Sequence, residues 1–179
     1  MNSKNYIYYL LVMMTFITLK GLYPMTDHDQ LFFILKPTNG LVEIFTGSPS
    51  FYDATIGYYY PNLNITIEKS CSGFNFWLLA FVLSAFVSLN YLQSKKAKAF
   101  IIPVMLVVSY LLTLFVNASR IVTSLAANSM TSAWYDHPVT WLHQAEGAFI
   151  YLMFLILFYS SLQFFYSKNF TRHEKLTQS

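Results

Sequence analysis

Residues 74–92 read FNFWLLAFVLSAFVSLNYL, a run of 19 residues that contains no charged side chain. A helix of about 20 apolar residues is long enough to cross the hydrocarbon core of a bilayer, so this run predicts a membrane-spanning helix. The segment EKSCSG, at residues 68–73, directly precedes the run and contains the only cysteine of the chain. Cys71 is therefore expected in the first turn of this helix or just ahead of it.

The composition of the 179-residue chain is typical of an integral membrane protein. Hydrophobic residues make up 55% of the sequence and charged residues 11%, whereas soluble domains carry about 25% charged residues. A single cysteine excludes an intramolecular disulfide and a thiol-rich metal site, and we expect no metal ion and no cofactor. The basic residues form short flanking clusters rather than one face, so we expect a lipid bilayer and no nucleic acid as a partner.

Three further runs are long enough to span a bilayer, and we expect one membrane domain over residues 1–179. The four predicted spans are residues 6–23, 74–92, 99–116 and 142–166. The first run could be a signal peptide, but no small-residue cleavage site follows it, which favours a retained span. The sequence Asn-Ala-Ser-Arg at residues 117–120 is expected to end the third span, and the first half of residues 121–141 could continue as an amphipathic helix.

Residues 24–70 form the longest predicted loop between spans. Residues 27–35 and 37–47 each predict a helix that is too short to cross a bilayer, which is typical of interfacial or re-entrant helices. Residues 54–60 and 64–68 predict the two strands of a β-hairpin that leads to the cysteine. The predicted fold is thus an all-α integral membrane protein with about four transmembrane helices, short interfacial helices and a small β-hairpin.

The lysine and arginine residues are distributed unevenly between the two ends of the predicted spans. Four spans place both termini on one side, and that side carries Lys4, Lys95, Lys96, Lys98, Lys168, Arg172 and Lys175. The other side carries most of the acidic residues and, apart from a lysine near the boundary, only Lys36, Lys69 and Arg120. Because short cytoplasmic loops are rich in basic residues, we expect cytoplasmic termini and an outer loop at residues 24–70.

Three chemically active side chains are expected together at the outer end of the bundle. Cys71 precedes the second span, Arg120 ends the third, and His143 begins the fourth, so all three lie at one membrane depth. A helix N-terminus favours the thiolate form of a cysteine, which is its nucleophilic form. A thiolate, a proton-transferring imidazole and a fixed cation are the groups that acyl transfer by cysteine requires.

Each of these residues also has a simpler interpretation. Cys71 alone would more often be a small apolar residue, and Arg120 could extend towards lipid headgroups. His143 could anchor its helix at the interface, and His137, in the preceding loop, is a rival imidazole. Their common depth favours a shared site over three separate explanations.

Three neighbouring residues are expected to support the site. Gly73 permits a close backbone approach beside the cysteine. Asn117 lies one helical turn before the arginine and could hold its guanidinium group. Glu146 lies one turn after the histidine and could orient the imidazole.

The motifs at these positions resemble those of the exosortase/archaeosortase family. They are Cys-Ser-Gly at residues 71–73, Asn-x-x-Arg at residues 117–120 and His-x-x-x-Gly at residues 143–147. Residues 37–47 are also similar to that family's segment upstream of the cysteine. The resemblance runs from about residue 26 to about residue 166, and with about four spans the chain looks like the short subgroup called exosortase K.

The resemblance implies a sortase-like cysteine protease or transpeptidase embedded in the bacterial plasma (inner) membrane. The implied substrate is a membrane-anchored exported protein with a C-terminal sorting signal of short motif, transmembrane helix and basic tail, as in PEP-CTERM proteins. Carried over by position, Cys71 is the nucleophile that forms a thioester, Arg120 the stabilising cation and His143 the general acid and base. The active site is then expected on the outer face of the membrane.

Two other functions fit the same sequence. The chain could be a non-enzymatic assembly or accessory protein of the envelope, in which Cys71 is incidental or lipid-modified. It could also be a different membrane acyltransferase with an acyl-carrier or lipid donor. Trapping of a thioester to a peptide fragment separates the peptidase from the acyltransferase, and Cys71→Ser separates both enzymes from the accessory protein.

Overall fold

The structure, a computed structural model, describes residues 5–27, 29–131 and 140–177, with side chains at 5–27, 30–127 and 145–168. Its helices and strands are, in chain order, α1 (Tyr6–Leu22), α2 (Phe32–Thr46), β1 (Phe51–Asp53), β2 (Gly57–Tyr60), β3 (Ile65–Ile67), α3 (Phe74–Tyr91), α4 (Lys95–Thr131) and α5 (Thr140–Thr177). Four stretches of the described chain are long and apolar enough to cross a membrane, namely Tyr6–Met25, Lys69–Tyr91, Lys95–Ala127 and Ala145–Lys168. The prediction of an all-α membrane protein with four spanning helices is confirmed.

The helix α3 lies at the centre of the bundle and is buried along most of its length. On one side Phe81 belongs to a buried cluster with Val12 of α1. On another side Phe76 packs in a cluster with Val116 of α4 and Ile150 of α5. A helix that is apolar all round is typically enclosed by other elements, which accounts for the absence of charge in the run that forms α3.

The helix α5 presents a broad apolar surface to its surroundings. Phe149, Leu152 and Ile156 are 68%, 56% and 55% exposed, respectively. Large contiguous apolar surfaces are rare on soluble monomers, whereas a membrane-spanning helix places such side chains against lipid. The exposure along α5 therefore agrees with its assignment as a span.

Short polar side chains recur at intervals of four residues on α3 and α4, and all of them are buried. They are Ser84 and Ser88 of α3 and Ser109, Thr113 and Asn117 of α4. The four hydroxyl groups donate to carbonyl oxygens three or four residues earlier in their own helices. Small side chains let neighbouring membrane helices approach closely, and only the amide of Asn117 among these groups bonds outside its helix.

The helix α4 continues through residues 117–120, where the sequence was expected to end the third span. It runs without a break to Thr131. The segment contains neither glycine nor proline, the residues that usually end a helix, and the Ser119 hydroxyl donates to the Phe115 carbonyl within the helix. Arg120 therefore extends from the side of a long helix rather than from its end.

The two short helices predicted over residues 27–35 and 37–47 are a single helix. A short 3₁₀ turn at Asp29–Leu31 precedes α2, which begins at Phe32. The hydroxyl of Thr26, in position to cap the first of these helices, instead donates to the carbonyl of the preceding turn at 2.7 Å. The helix ends as predicted, at Gly47 in the left-handed conformation with φ +65°.

Pro37 lies inside α2, although the sequence favoured it as the start of a separate helix. Proline lacks the N–H group that would bond the carbonyl four residues earlier, which is that of Phe33. The hydroxyl of Tyr110 on α4 donates to this carbonyl at 2.6 Å. A side chain of α4 thus replaces the missing intrahelical bond, and α2 passes through the proline.

The predicted β-hairpin is present and belongs to a three-stranded antiparallel sheet of order β1-β2-β3. In the hairpin Tyr58 pairs with Ile67 and Tyr60 pairs with Ile65. The strand β1 was not predicted, because its three residues are all exposed and show no alternation. In this order β3 is an edge strand, with β2 on one side only.

A polar network attaches the sheet to α2. The Tyr60 hydroxyl donates to the side-chain oxygen of Asn39 at 2.6 Å, and the Asn39 amide donates to the Ser50 hydroxyl at 2.8 Å. Ser50 in turn donates to Glu43 from its hydroxyl and its backbone N–H group, at 2.6 and 2.9 Å. These bonds lower the pKa of the Glu43 carboxyl and hold the hairpin that leads to Cys71.

Candidate active site

Cys71 lies between the sheet and the central helix. It ends a 3₁₀ turn at Lys69–Cys71, and its backbone N–H donates to the Glu68 carbonyl at 2.9 Å. The following helix α3 starts at Phe74, and the backbone N–H of this residue donates to the Ser72 hydroxyl at 3.3 Å. The cysteine is thus just ahead of the helix N-terminus, as its place in the sequence predicts.

Gly73 allows α4 to approach the cysteine turn. Its φ is +71°, and a Cβ atom at this position would lie 2.9 Å from Cγ of Asn117. A side chain at residue 73 would therefore meet both an unfavourable backbone conformation and a steric clash. The close approach lets the Asn117 amide donate a hydrogen bond of 2.5 Å to the Cys71 carbonyl.

Tyr151 of α5 joins the two polar residues that α4 contributes. Its hydroxyl donates to the side-chain oxygen of Asn117 at 2.7 Å. The guanidinium carbon of Arg120 lies 5.2 Å from the centre of the same ring, within the range of a cation–π interaction. Phe76 of α3 stacks on this ring at 4.8 Å. The tyrosine therefore contacts groups from both neighbouring helices.

Gly147 lets α5 pack directly on the arginine. A Cβ atom at this position would lie 3.3 Å from Cδ and 3.5 Å from Nη1 of Arg120. His143 precedes this glycine by four residues, and Tyr151 follows it by four, so all three lie on one face of α5. The glycine of the His-x-x-x-Gly motif thus has a packing role against Arg120.

Cys71 and Arg120 line the same cavity, which has a volume of about 150 Å³. This exceeds the space that a water molecule needs. The described residues of its wall are Ile65, Thr66, Ile67, Cys71, Arg120, Ile121, Ser124 and Leu125. Among them the arginine provides the charge, and most of the others are apolar. The cavity therefore places a thiol and a cation together in surroundings of low polarity.

The remaining predicted site residues lie on α5 or beyond the described part of the chain. The backbone of His143 is helical within α5, and its side chain is outside the described residues, as is all of His137. Glu146 is half-buried, and its Oε1 atom has no hydrogen-bond partner among the described residues. In the described part of the chain, no group of three potential metal ligands occurs.

The structure pairs the predicted residues differently from the expectation in one respect. Asn117 was expected to hold the guanidinium group of Arg120, but its amide bonds the Cys71 carbonyl and the Tyr151 hydroxyl. Among the described side chains, the ring of Tyr151 lies beside the guanidinium. The sequence analysis did not identify Tyr151, and the available signal was its spacing of four residues from Gly147 on α5.

The fold and this cavity define a multi-pass membrane protein with a cysteine and an arginine in one pocket. The model of the family described as transmembrane exosortase matches residues 7–160, which is most of the chain. The chain therefore belongs to the transmembrane exosortase family, and this membership suggests a membrane transpeptidase or protease. Neither a curated protein nor a solved structure matches it.

Proposed function

We propose that this chain is a sortase-like cysteine peptidase or transpeptidase that cleaves a C-terminal sorting signal of exported proteins. The observation that carries the proposal is the shared cavity of Cys71, from the turn before α3, and Arg120, from α4. The packing of Gly147 on Arg120 supports it, because His143 precedes this glycine by one turn of α5. Family membership agrees with this class of activity.

In the proposed first step His143 takes the proton of the Cys71 thiol, and the sulfur attacks the carbonyl carbon of the scissile peptide bond. An S–C bond forms, and the carbonyl becomes a tetrahedral oxyanion, which the guanidinium of Arg120 stabilises. The oxyanion then collapses, the C–N bond breaks, and His143 gives a proton to the leaving amine. The products of this step are a thioester on Cys71 and the released C-terminal helix.

In the second step an acceptor nucleophile attacks the thioester carbonyl. The acceptor is water, an amine or a lipid hydroxyl group, and His143 takes its proton as the new bond to carbon forms. The S–C bond then breaks, and the proton returns to the sulfur, which restores the thiol. Water as acceptor makes the chain a protease, and either other acceptor makes it a transpeptidase or transferase.

The proposed substrate is a membrane-anchored protein with a short motif, a transmembrane helix and a basic tail at its C-terminus. A substrate helix in the same bilayer brings its scissile bond to the level of Cys71 if the enzyme's termini are cytoplasmic. The basic residues near the termini and at residues 95–98 support this orientation. We further propose that the chain lies in the bacterial inner membrane, with its active site on the outer face. We also propose that it belongs to the short exosortase K subgroup.

Labelling of introduced cysteines tests the orientation separately from the activity. In a Cys71→Ser background, Ser50→Cys is expected to react with an impermeant maleimide on intact cells. Ser94→Cys, at the opposite end of the spans, is expected to react only after the cells are permeabilised. Labelling of both positions on intact cells would contradict the four-span orientation.

The activity is tested by mass spectrometry of exported-protein C termini in the bacterium that encodes this chain. Proteins that end in a helix and a basic tail are expected to lose that tail in the parent strain and to keep it with Cys71→Ser. Hydroxylamine, which cleaves thioesters, is expected to release a peptide hydroxamate from Cys71. Identical C termini in both strains would contradict the proposal and favour an accessory protein. A lipid acyl group on Cys71 would instead favour an acyltransferase.

The role of the imidazole is tested by a matched pair of variants. His143→Ala is expected to abolish processing of the tail, since in the proposed mechanism the imidazole protonates the leaving amine and takes the proton of the acceptor. His137→Ala, six residues earlier, is expected to leave processing unchanged. Processing that depends on His137 and not on His143 would assign the acid and base role to the loop histidine.

A further inference from the structure

The wall of the cavity that contains Cys71 includes β3, an edge strand of the sheet. Three consecutive residues of this strand, Ile65, Thr66 and Ile67, contribute to the wall. Successive side chains of a strand point to opposite faces of the sheet, so a cavity that contacts all three residues also reaches the backbone of β3 or both of its faces. One edge of β3 is occupied by β2, and the other edge has no strand beside it in the described chain.

The backbone groups on this edge have no partner in the described chain. Every recorded hydrogen bond of residues 65–67 belongs to the pairing of β3 with β2. A strand leaves half of its N–H and C=O groups directed away from its neighbour. Ile65 and Thr66 are half-buried, so a ligand that enters the cavity can reach the backbone groups on this edge.

We propose that an extended segment of the substrate pairs with this edge of β3 as a fourth strand, and that the pairing places its scissile carbonyl beside the Cys71 thiol. The inference rests on the proposed function and specifies how the substrate is held. The occupant is an extended polypeptide, because an unpaired strand edge presents alternating donors and acceptors that another extended backbone matches. The pairing binds about three residues, the length of β3.

The α4 part of the cavity wall explains how side-chain preference can accompany backbone pairing. It comprises Arg120, Ile121, Ser124 and Leu125, and Ile121 belongs to one buried cluster with Ile67 of β3. The sheet face that carries Ile67 therefore packs towards α4, and a peptide paired to β3 directs alternate side chains to that face. Backbone pairing supplies register and affinity, and the small, mostly apolar wall selects the side chains that fit beside it.

The probe is a library of N-acetylated tripeptidyl chloromethyl ketones with randomised side chains, so no substrate sequence has to be known. Each reagent alkylates a thiol by forming an S–C bond and releasing chloride. One sub-library has unmodified amides, and each of three others carries an N-methyl group on one backbone nitrogen. The rate of Cys71 alkylation in the purified protein is measured by mass spectrometry. This rate is divided by the rate with chloroacetone, which contains no peptide.

The unmodified library is expected to react faster than chloroacetone, because pairing holds the reagent beside the sulfur. N-methylation is expected to lower this rate advantage at alternate nitrogens only. The expected decrease is about two- to tenfold, which corresponds to the loss of one net hydrogen bond. The alternation follows because a strand presents its N–H groups to one neighbour at every second residue. Equal effects at all three nitrogens, or none, would overturn the pairing.

Two proline variants provide the matched test on the enzyme. Thr66→Pro is at the middle of β3, and Tyr52→Pro is at the middle of β1, the opposite edge of the same sheet. Thr66→Pro is expected to remove the advantage of the peptide reagents while iodoacetamide still alkylates Cys71 at the parent rate. Tyr52→Pro is expected to keep the advantage, and equal behaviour of the two variants would overturn the inference.

Failure of this inference is distinguishable from failure of the proposed function. If the peptide library reacts no faster than chloroacetone while processing in cells still depends on Cys71, the β3 pairing alone is overturned. If processing does not depend on Cys71, the proposed function is overturned. The alternating N-methyl pattern, by contrast, supports the pairing through the probe itself.

Discussion

The side-chain amide of Asn117 donates a hydrogen bond of 2.5 Å to the backbone carbonyl of Cys71, from the middle of a membrane helix. The amide is fully buried, and the Tyr151 hydroxyl donates to its oxygen at 2.7 Å. Because a backbone carbonyl can only accept a hydrogen bond, the amide nitrogen is directed at the cysteine turn and the amide oxygen at the Tyr151 hydroxyl. The position of the thiol is therefore set by α4 and α5 as well as by the helix that follows it.

Replacement of this amide is expected to displace the thiol. Asn117→Ala leaves the Cys71 carbonyl and the Tyr151 hydroxyl without their partner, at a cost of about 1–3 kcal/mol in the free energy of unfolding. Misplacement of a reacting group lowers turnover by about 100-fold per ångström, so processing is expected to fall further than stability. The measurements are thermal unfolding in detergent and C-terminal processing in cells.

Ser119→Ala is the control for that variant. Ser119 lies two residues further along α4, and its hydroxyl donates within the helix, to the Phe115 carbonyl. This variant removes one polar side chain from the same helix without changing the cysteine turn. Loss of processing in Ser119→Ala as large as in Asn117→Ala would show that the hydrogen bond to Cys71 is not the cause.

The glycine after the cysteine is expected to be irreplaceable by alanine. Gly73→Ala places a Cβ atom 2.9 Å from Asn117 Cγ, at a φ of +71°, and the left-handed conformation alone costs about 1–2 kcal/mol. Gly21→Ala is the matched control, because nothing lies within 4 Å of its added Cβ atom in α1. We expect a lower unfolding temperature and reduced processing only for Gly73→Ala, and equal unfolding temperatures would contradict the close approach.

Tyr151 can be tested in two steps because it has two contacts. Tyr151→Phe removes the hydrogen bond to Asn117 and keeps the aromatic ring beneath Arg120, whereas Tyr151→Leu removes both. A cation–π contact contributes about 0.5–2 kcal/mol, so processing is expected to decrease from the parent to Phe and again to Leu. Tyr159→Phe, on the exposed part of the same helix, is the control, and a Leu variant as active as Phe would exclude a role for the ring.

The sequence predicts the membrane spans and the place of Cys71 well, because both depend on local signals. An uncharged run of 19 residues identifies α3 without any knowledge of its neighbours, and residues 64–68 alternate with the period of a strand. The sequence leaves open whether a helix continues past Arg120, because polar residues can end a helix or project from it. Only packing decides between these two outcomes.

The role of Tyr151 depends on tertiary contacts that no local pattern specifies. The chain has 14 tyrosines, and a tyrosine in a membrane helix is ordinarily interpreted as an interfacial residue. Its contact with Arg120 exists because Gly147, one turn earlier, removes the side chain that would separate α5 from α4. Likewise β1 has three exposed residues and becomes a strand only because β2 is already present to pair with it.

The Ser50–Glu43 contact is expected to make the stability of the loop region depend on pH. Hydrogen bonds from Ser50 are the main cause of the lowered pKa of Glu43. Because the pKa is lower in the folded state than in the unfolded state, the stabilisation is complete above the ordinary value of 4.5. It is lost as the pH falls through the lowered value.

The measurement is the unfolding temperature of the parent and of Ser50→Ala between pH 7 and pH 3 in detergent. The parent is expected to be more stable at pH 7, and the difference is expected to shrink as the pH falls below about 4.5. Ser48→Ala, two residues earlier in the same loop, is the control and is expected to show no such change. A difference between parent and Ser50→Ala that is constant over this range would exclude ionised Glu43 as its source.

Arg120 is expected to increase the reactivity of Cys71 and, separately, to stabilise the oxyanion. Both side chains line one cavity, and arginine keeps its positive charge at any working pH. The sulfur that attacks iodoacetamide carries negative charge, which a cation in the same cavity attracts. Arg120→Ala is therefore expected to slow alkylation by iodoacetamide at neutral pH, and to slow processing of the C-terminal tail more strongly.

Arg120→Lys separates the two roles because lysine keeps the charge but not the planar fork of donors. A guanidinium group can donate two parallel hydrogen bonds to an oxyanion, whereas an ammonium group acts as a point charge. The lysine variant is thus expected to restore the alkylation rate better than the processing rate. Lys36→Ala removes a cation from α2, outside the cavity wall, and is expected to leave both rates unchanged. If Arg120→Ala alkylates as fast as the parent, the arginine does not act on the sulfur. If the lysine variant restores both rates equally, its charge alone accounts for its effect.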